Sequence, residues 1–194
     1  PRSQGHQAGL ANLREVLRAF SEHGVRYVTL YAFSTENWSR PRQEVQGLMS
    51  LLAEAIERDA RILDEDGVRI LHLGRIDRLA PDLAKSIRRV MELTKTNQRI
   101  TLGVAFDYGG KDEILEAVRS LIRDGHSPEE ITEELFSRQL YTSELPDPDL
   151  VIRTGGEMRL SNFLLWQSAY AELYSTSALW PDFGAEEVSK ALAA

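Results

Sequence analysis

Residues 34–40 bring unlike chemistry together in one short connection: Ser34, Thr35, Glu36, Asn37, Trp38, Ser39 and Arg40. Just before them, residues 27–33 are β-branched and aromatic, which reads as a buried strand. Pro41 then opens a long helical pattern. Polar side chains between the C-terminal end of a strand and a helix lie where open α/β sheets bind ligands. Taken alone, the same residues are read equally well as a hydrophilic connection.

A second cluster follows a later strand: Arg153-Thr-Gly-Gly-Glu-Met-Arg159, then Leu160 and Ser161. Paired glycines let the backbone turn sharply or approach a ligand. Arginine forks match phosphate oxygens better than an ammonium does. With Ser161 capping a helix expected over residues 159–170, the segment reads as a diphosphate cradle. The alternative is a left-handed turn with solvated arginines. His6, at the start of the first helical pattern, is either an anion contact or a capping residue. Glu172 interrupts an apolar run, where a carboxylate is either paired or serves a metal. Phosphate ligands bring Mg²⁺, held by one or two carboxylates plus phosphate oxygens.

The elements that would position these residues alternate between strands and helices. Leu10, Leu13, Val16, Leu17 and Phe20 make one helical stripe, closed by His23-Gly24. Residues 41–66, 81–95 and 111–123 are further helices. Ile114, Leu115, Val118, Leu121 and Ile122 are expected on the inner side of the last. Residues 68–73, 99–106, 149–153 and 171–176 read as strands, the second almost free of charge, as for a strand covered on both faces. Ser127-Pro-Glu-Glu130 is a capping box opening a short helix. The alternation predicts an α/β fold: a single domain over residues 1–194, with a mostly parallel central sheet flanked by helices.

Composition narrows the function. The 194 residues suffice for one domain with a real core. With no cysteine, disulfides, thiolate metal sites and cysteine nucleophiles are excluded. A net charge of −7 argues against a nucleic-acid partner. No apolar run reaches the ~20 residues of a membrane span. The chain has no Gly-x-x-x-x-Gly-Lys-Ser/Thr, Gly-x-Gly-x-x-Gly or Gly-x-Ser-x-Gly motif, which argues against the common NTPases, dinucleotide enzymes and esterases.

The motifs, taken together, resemble the cis-prenyltransferases. The matching stretches are Gly5-His6, Tyr31-Ala-Phe-Ser-Thr-Glu-Asn-Trp-Ser-Arg-Pro41, Phe106-Asp-Tyr-Gly-Gly110, Asp149-Leu-Val-Ile-Arg-Thr-Gly-Gly-Glu157, Arg159-Leu-Ser-Asn-Phe-Leu-Leu-Trp-Gln167, Ala171-Glu-Leu-Tyr174 and Leu179-Trp-Pro-Asp182. They cover nearly the whole chain in the family's order. The resemblance implies repeated addition of isopentenyl diphosphate to an allylic starter such as farnesyl diphosphate, with Mg²⁺ assisting departure of the allylic diphosphate. It implies an apolar substrate cleft, a long polyprenyl product that carries cell-wall precursors, a homodimer, and a cytoplasmic protein with peripheral membrane contact for product release. By position, Arg2, His6 and Arg40 would hold the allylic diphosphate. Ser34, Thr35, Glu36, Asn37 and Trp38 would form the loop over the reacting carbons. Arg153, Arg159, Leu160 and Ser161 would bind isopentenyl diphosphate, and Glu172 would be a Mg²⁺ ligand. Asn37 is the family's proposed proton acceptor. A neutral amide is a weak base, so it is expected to orient diphosphate or water. Met158 stands where relatives often carry histidine. The family's Met-Asp-Gly-Asn-Gly-Arg-Trp segment does not occur in this sequence. The expectation is a chain shortened at its N-terminus, slightly at its C-terminus, and impaired as given. A non-catalytic subunit of a heteromeric enzyme is the alternative function.

Overall fold

The computed structural model describes the backbone of residues 2–194 and the side chains from residue 12 onward. Helix α1 spans Arg2–Glu22, beginning ahead of its apolar stripe. Strand β1 (Tyr27–Ser34), helix α2 (Arg42–Glu65), strand β2 (Val68–Leu73), helix α3 (Pro81–Thr94), strand β3 (Ile100–Tyr108) and helix α4 (Gly110–Arg123) follow. The remainder is α5 (Glu133–Ser137), β4 (Leu150–Arg153), β5 (Glu172–Ser175) and α6 (Ala185–Ala193).

β1, β3 and β2 form a parallel sheet in that order, with β3 in the centre. β4 and β5 form a second, two-stranded parallel sheet. The parallel α/β expectation therefore holds. β3 is buried along nearly its whole length, which explains its lack of charge. One face of the sheet packs with α1 and α6 through Val16, Phe20, Leu102 and Val188. The other face packs with α2 and α3 through Phe33, Val45, Leu83 and Phe106.

Three expectations are corrected. Residues 159–170 form successive turns rather than a helix. Ser161, Asn162 and Leu164 adopt φ of 52°, 64° and 45°, a left-handed conformation that no α-helix accommodates. α4 turns Glu113, Ala117 and Leu121 inward and leaves Leu115, Val118 and Ile122 exposed. Its sequence carries two apolar stripes, and only one meets α5. The capping box at Ser127 is present, with the backbone N–H of Ser127 donating to Glu130 at 2.7 Å, but it opens only a 3-10 turn. α5 has its own cap, Thr132, which accepts from the N–H of Leu135.

Candidate active site

β1 delivers Ser34 to the rim of the sheet. The connection beyond it is a 3-10 turn, Thr35–Ser39, rather than an irregular loop. The Ser34 N–H donates to Asn37 Oδ1 at 3.0 Å, and the Ser39 hydroxyl donates to the carbonyl of Glu36 at 2.7 Å. The side-chain acceptor of Asn37 is thereby engaged, leaving its amide N–H groups as donors. That arrangement suits orienting an anion and does not suit taking a proton. Arg40 ends the turn and pairs with Glu44 at 3.0 Å.

Trp38 is half-buried beneath the turn. Its ring packs edge-on against Phe33 at 5.3 Å, and its N–H donates to Asp107 at 2.6 Å. It faces the interior.

Glu36 accepts from Asn162 Nδ2 at 2.7 Å and from the Thr35 hydroxyl at 3.3 Å. Burial works against ionisation, but hydrogen bonds from its own backbone N–H, Asn162, Ser34 and Thr35 win, holding its carboxyl below the usual range. Asn162 also accepts from Lys111 N through Oδ1 at 2.9 Å, and its carbonyl accepts from Gly110 N at 2.7 Å. One side chain thus ties the 3-10 turn, the β3–α4 junction and the segment after Arg159. Glycine is required at 109 because a Cβ would stand 2.5 Å from Thr35 Oγ1 and 2.9 Å from Asn162 Nδ2. Tyr31 reinforces the junction: it stacks on Phe163 at 4.5 Å, and its hydroxyl donates toward the carbonyls of Tyr108 and Ser161. Burial pushes its phenol up to about 12, so it remains a neutral donor. Ser161 therefore caps no helix; its carbonyl receives Tyr31.

The Gly-Gly turn differs from a backbone cradle. The N–H groups of Gly155 and Gly156 donate to the carbonyls of Ala178 and Thr176 at 2.9 and 2.8 Å. Any diphosphate there must be held by side chains. Glu157 already bridges the two arginines, accepting from Arg153 at 2.6 Å and meeting Arg159 at 2.5 Å. Arg153 Nε is buried without a hydrogen-bond partner among the described residues. Arg153, Arg159 and Leu160 all line a cavity of about 1130 Å³. Its lining is mainly apolar, from Phe20 and Val16 on α1 to Leu48, Leu51 and Leu52 on α2, with polar residues such as His23, Asp149 and Gln167 among them. Consecutive residues of β1 and of β4 also line it. Residues 34–40 do not line it. The side chains of Arg2 and His6 lie outside the described residues.

Glu172 is exposed at the start of β5, not buried as its neighbours suggested. It pairs in register with Leu150, whereas Arg153 pairs with Ser175. At about 3.3 Å per residue, it sits roughly 10 Å back along the strand from Arg153. Among the described residues no three acidic or histidine side chains form a metal cage.

Sequence reasoning missed a buried polar set beneath this rim. Glu113, 2% exposed, accepts from the Tyr108 hydroxyl at 2.5 Å, Gln167 Nε2 at 3.1 Å and Tyr141 N at 2.9 Å. Burial raises its carboxyl above the usual value, and these donors oppose the shift. Glu113 thereby fastens the turns of residues 159–170 to β3. The one available signal was an acid on the buried phase of α4.

Residues 1–194 match the protein family described as "Putative undecaprenyl diphosphate synthase". The chain belongs to this family. It is 50% identical over 191 residues to an isoprenyl transferase of Fusobacterium nucleatum, covering 98% of this chain and 82% of that one. An isoprenyl transferase of Thermotoga maritima is 47% identical over 194 residues, covering 99% and 83%. Among solved structures, a lavandulyl diphosphate synthase from Lavandula x intermedia in complex with dimethylallyl diphosphate superposes with a TM-score of 0.93 at 32% identity, covering 100% of this chain and 85% of that one. A probable undecaprenyl diphosphate synthase from Campylobacter jejuni gives 0.87 at 31%, covering 96% and 88%. The chain is a prenyl transferase of the cis-prenyltransferase type. No described helix is long and apolar enough to cross a membrane.

Proposed function

We propose that the protein condenses isopentenyl diphosphate repeatedly onto an allylic diphosphate such as farnesyl diphosphate, giving a long-chain, undecaprenyl-type diphosphate for cell-wall synthesis. The observation that carries this reading is the placement of Arg153 and Arg159 on the wall of a large, mainly apolar cavity. A substrate with an anionic head and a hydrocarbon tail needs both features. Family membership supports the reaction type.

In each addition the allylic C1–O bond breaks and diphosphate leaves with the electron pair. The terminal alkene carbon of isopentenyl diphosphate bonds to C1, and a proton is lost from its C2. Arg153, Arg159, Leu160 and Ser161 bind the isopentenyl substrate, and Arg2, His6 and Arg40 bind the allylic head. Ser34, Thr35 and Glu36 shape the rim. Asn37, a neutral amide and a weak base held by the Ser34 N–H, orients the released diphosphate or the water that takes the proton. Trp38 contributes by fixing the turn from inside.

Mg²⁺ would neutralise the diphosphate charge and assist its departure. Glu172 is the carboxylate that would hold it. It has no side-chain partner among the described residues, and Mg²⁺ needs few protein ligands when phosphate oxygens complete its shell. The protein acts as a homodimer in the cytoplasm, touching the membrane peripherally to release product. A non-catalytic subunit is the weaker reading, because such a subunit has no need of the arginine pair and the capped Asn37 turn together.

The test is incubation of the full-length protein with farnesyl diphosphate, isopentenyl diphosphate and Mg²⁺, followed by sizing of the extracted lipid. A ladder of products longer than the starter is expected. Recovery of the starter alone would refute the enzyme reading.

A further inference from the structure

Asp107 closes β3 in an unusual state. It is fully buried, its φ is 51°, and it is not glycine. Asp tolerates the left-handed region better than most residues, yet such positions persist only where surroundings over-determine them. Here two segments do so, the 3-10 turn and the β2–α3 connection. Trp38 Nε1 donates to Oδ1 at 2.6 Å. Arg78, from the β2–α3 connection, places Nε 3.4 Å from Oδ2 and its guanidinium 5.4 Å from the centre of the Trp38 ring. The Asp107 carbonyl accepts from Arg75 N at 3.1 Å. Asp107 Oδ2 has no hydrogen bond among the described residues, so the carboxylate is incompletely compensated. Burial raises its pKa, with Trp38 and Arg78 opposing the rise.

We infer that Asp107 and Arg78 are positioning residues for the transfer reaction. They grip Trp38 from below and so hold the 3-10 turn that presents Asn37 and Arg40. The inference rests on the prenyl-transfer reading. Asn37 precedes Trp38 and Arg40 follows it by two positions, so a rotation at Trp38 moves both. Displacement of about 1 Å at such a site costs about 100-fold in rate. Arg153 and Arg159 are anchored separately, by Glu157. Loss of the grip should therefore fall on the allylic substrate.

Steady-state kinetics of the full-length protein on both substrates test this. Asp107→Gly removes the carboxylate without adding strain at positive φ. It should lower kcat/KM for farnesyl diphosphate about 10- to 100-fold while KM for isopentenyl diphosphate stays within about threefold. Asp107→Asn keeps an oxygen for the indole N–H and suits the same φ, so it should recover most of the loss. Retention of kcat/KM within about twofold in Asp107→Gly, or a rise in KM for isopentenyl diphosphate as large as that for farnesyl diphosphate, would overturn the inference. If Asp107→Gly does not fold, Trp38→Phe decides: it keeps the ring against Phe33 but lacks the N–H. Unimpaired turnover by that variant would also overturn the inference. No elongation by the unaltered protein would instead remove the prenyl-transfer reading, and the inference with it.

Discussion

Asn37 shows how a single hydrogen bond fixes the orientation of a side chain. Its oxygen accepts from the Ser34 N–H, which fixes the orientation of the amide and turns its N–H groups to the rim as donors. Glu157 is a comparable case. It stands between Arg153 and Arg159 in the position an anion would take, and Arg153 before all else holds its carboxyl below the ordinary 4.5. Because the folded pKa is lowered, the bridge is intact above 4.5 and is lost as pH falls through the depressed value. A carbon-detected NMR titration should place the Glu157 midpoint below 4.5, and Arg153→Ala should move it back up. A midpoint at or above 4.5 in the unaltered chain would contradict the bridge. At this scale the sequence groups Arg153 and Arg159 in one segment, and the structure sets both on the cavity wall. The sequence was not legible for Trp38, whose partner Asp107 lies 69 positions away. Nor did it reveal Glu113, whose compensation comes from Tyr108, Gln167 and Tyr141 on separate segments.

The elements themselves were mostly legible, since periodicity and turn residues act locally. β3 stands out by its lack of charge, and Gly24 and Gly67 end helices at φ of 78° and 71°. Residues 159–170 misled because apolar spacing there serves packing around Tyr31 and Glu113 rather than a helix face. Non-local contacts with Tyr31, Glu36 and Lys111 override local helix preference. Gly109 tests that junction. Gly109→Ala places a methyl 2.5 Å from Thr35 Oγ1, and should reduce kcat/KM about tenfold or more through displaced rim loops. Activity equal to the parent would show that the junction does not set the site.

β2 offers an independent test of packing. Burial pushes His72 down to about 4, and its ring N–H donates to the carbonyl of Phe106 at 3.0 Å. The unfolded chain takes up the proton near 6.5, whereas the folded one resists until about 4. Stability is therefore full above 6.5 and falls by up to about 3 kcal/mol as pH drops toward 4. Urea unfolding at stepped pH should show this slope, and His72→Leu should flatten it. An unchanged slope in the variant would contradict the neutral, buried imidazole.

For the molecule as a whole, the exposed apolar residues are unevenly placed. Leu115, Val118 and Ile122 form a stripe on α4, and Trp166, Tyr170 and Leu173 are exposed in or just before β5. Exposed apolar side chains grouped on one element can mark an interaction site, and the proposed dimer would cover such residues. Sedimentation should give twice the chain mass, and Leu173→Lys should shift the equilibrium toward monomer. A monomer at micromolar concentration in the unaltered protein would contradict the assembly.

The account depends most on Arg153 gripping the isopentenyl head on the wall of the mainly apolar cavity. The direct measurement is the pair of Michaelis constants for Arg153→Ala in the full-length protein. A charge-assisted contact is worth roughly 1.5–3 kcal/mol, so KM for isopentenyl diphosphate should rise about 10- to 150-fold while that for farnesyl diphosphate changes little. An unchanged KM for isopentenyl diphosphate would contradict the assignment of that site.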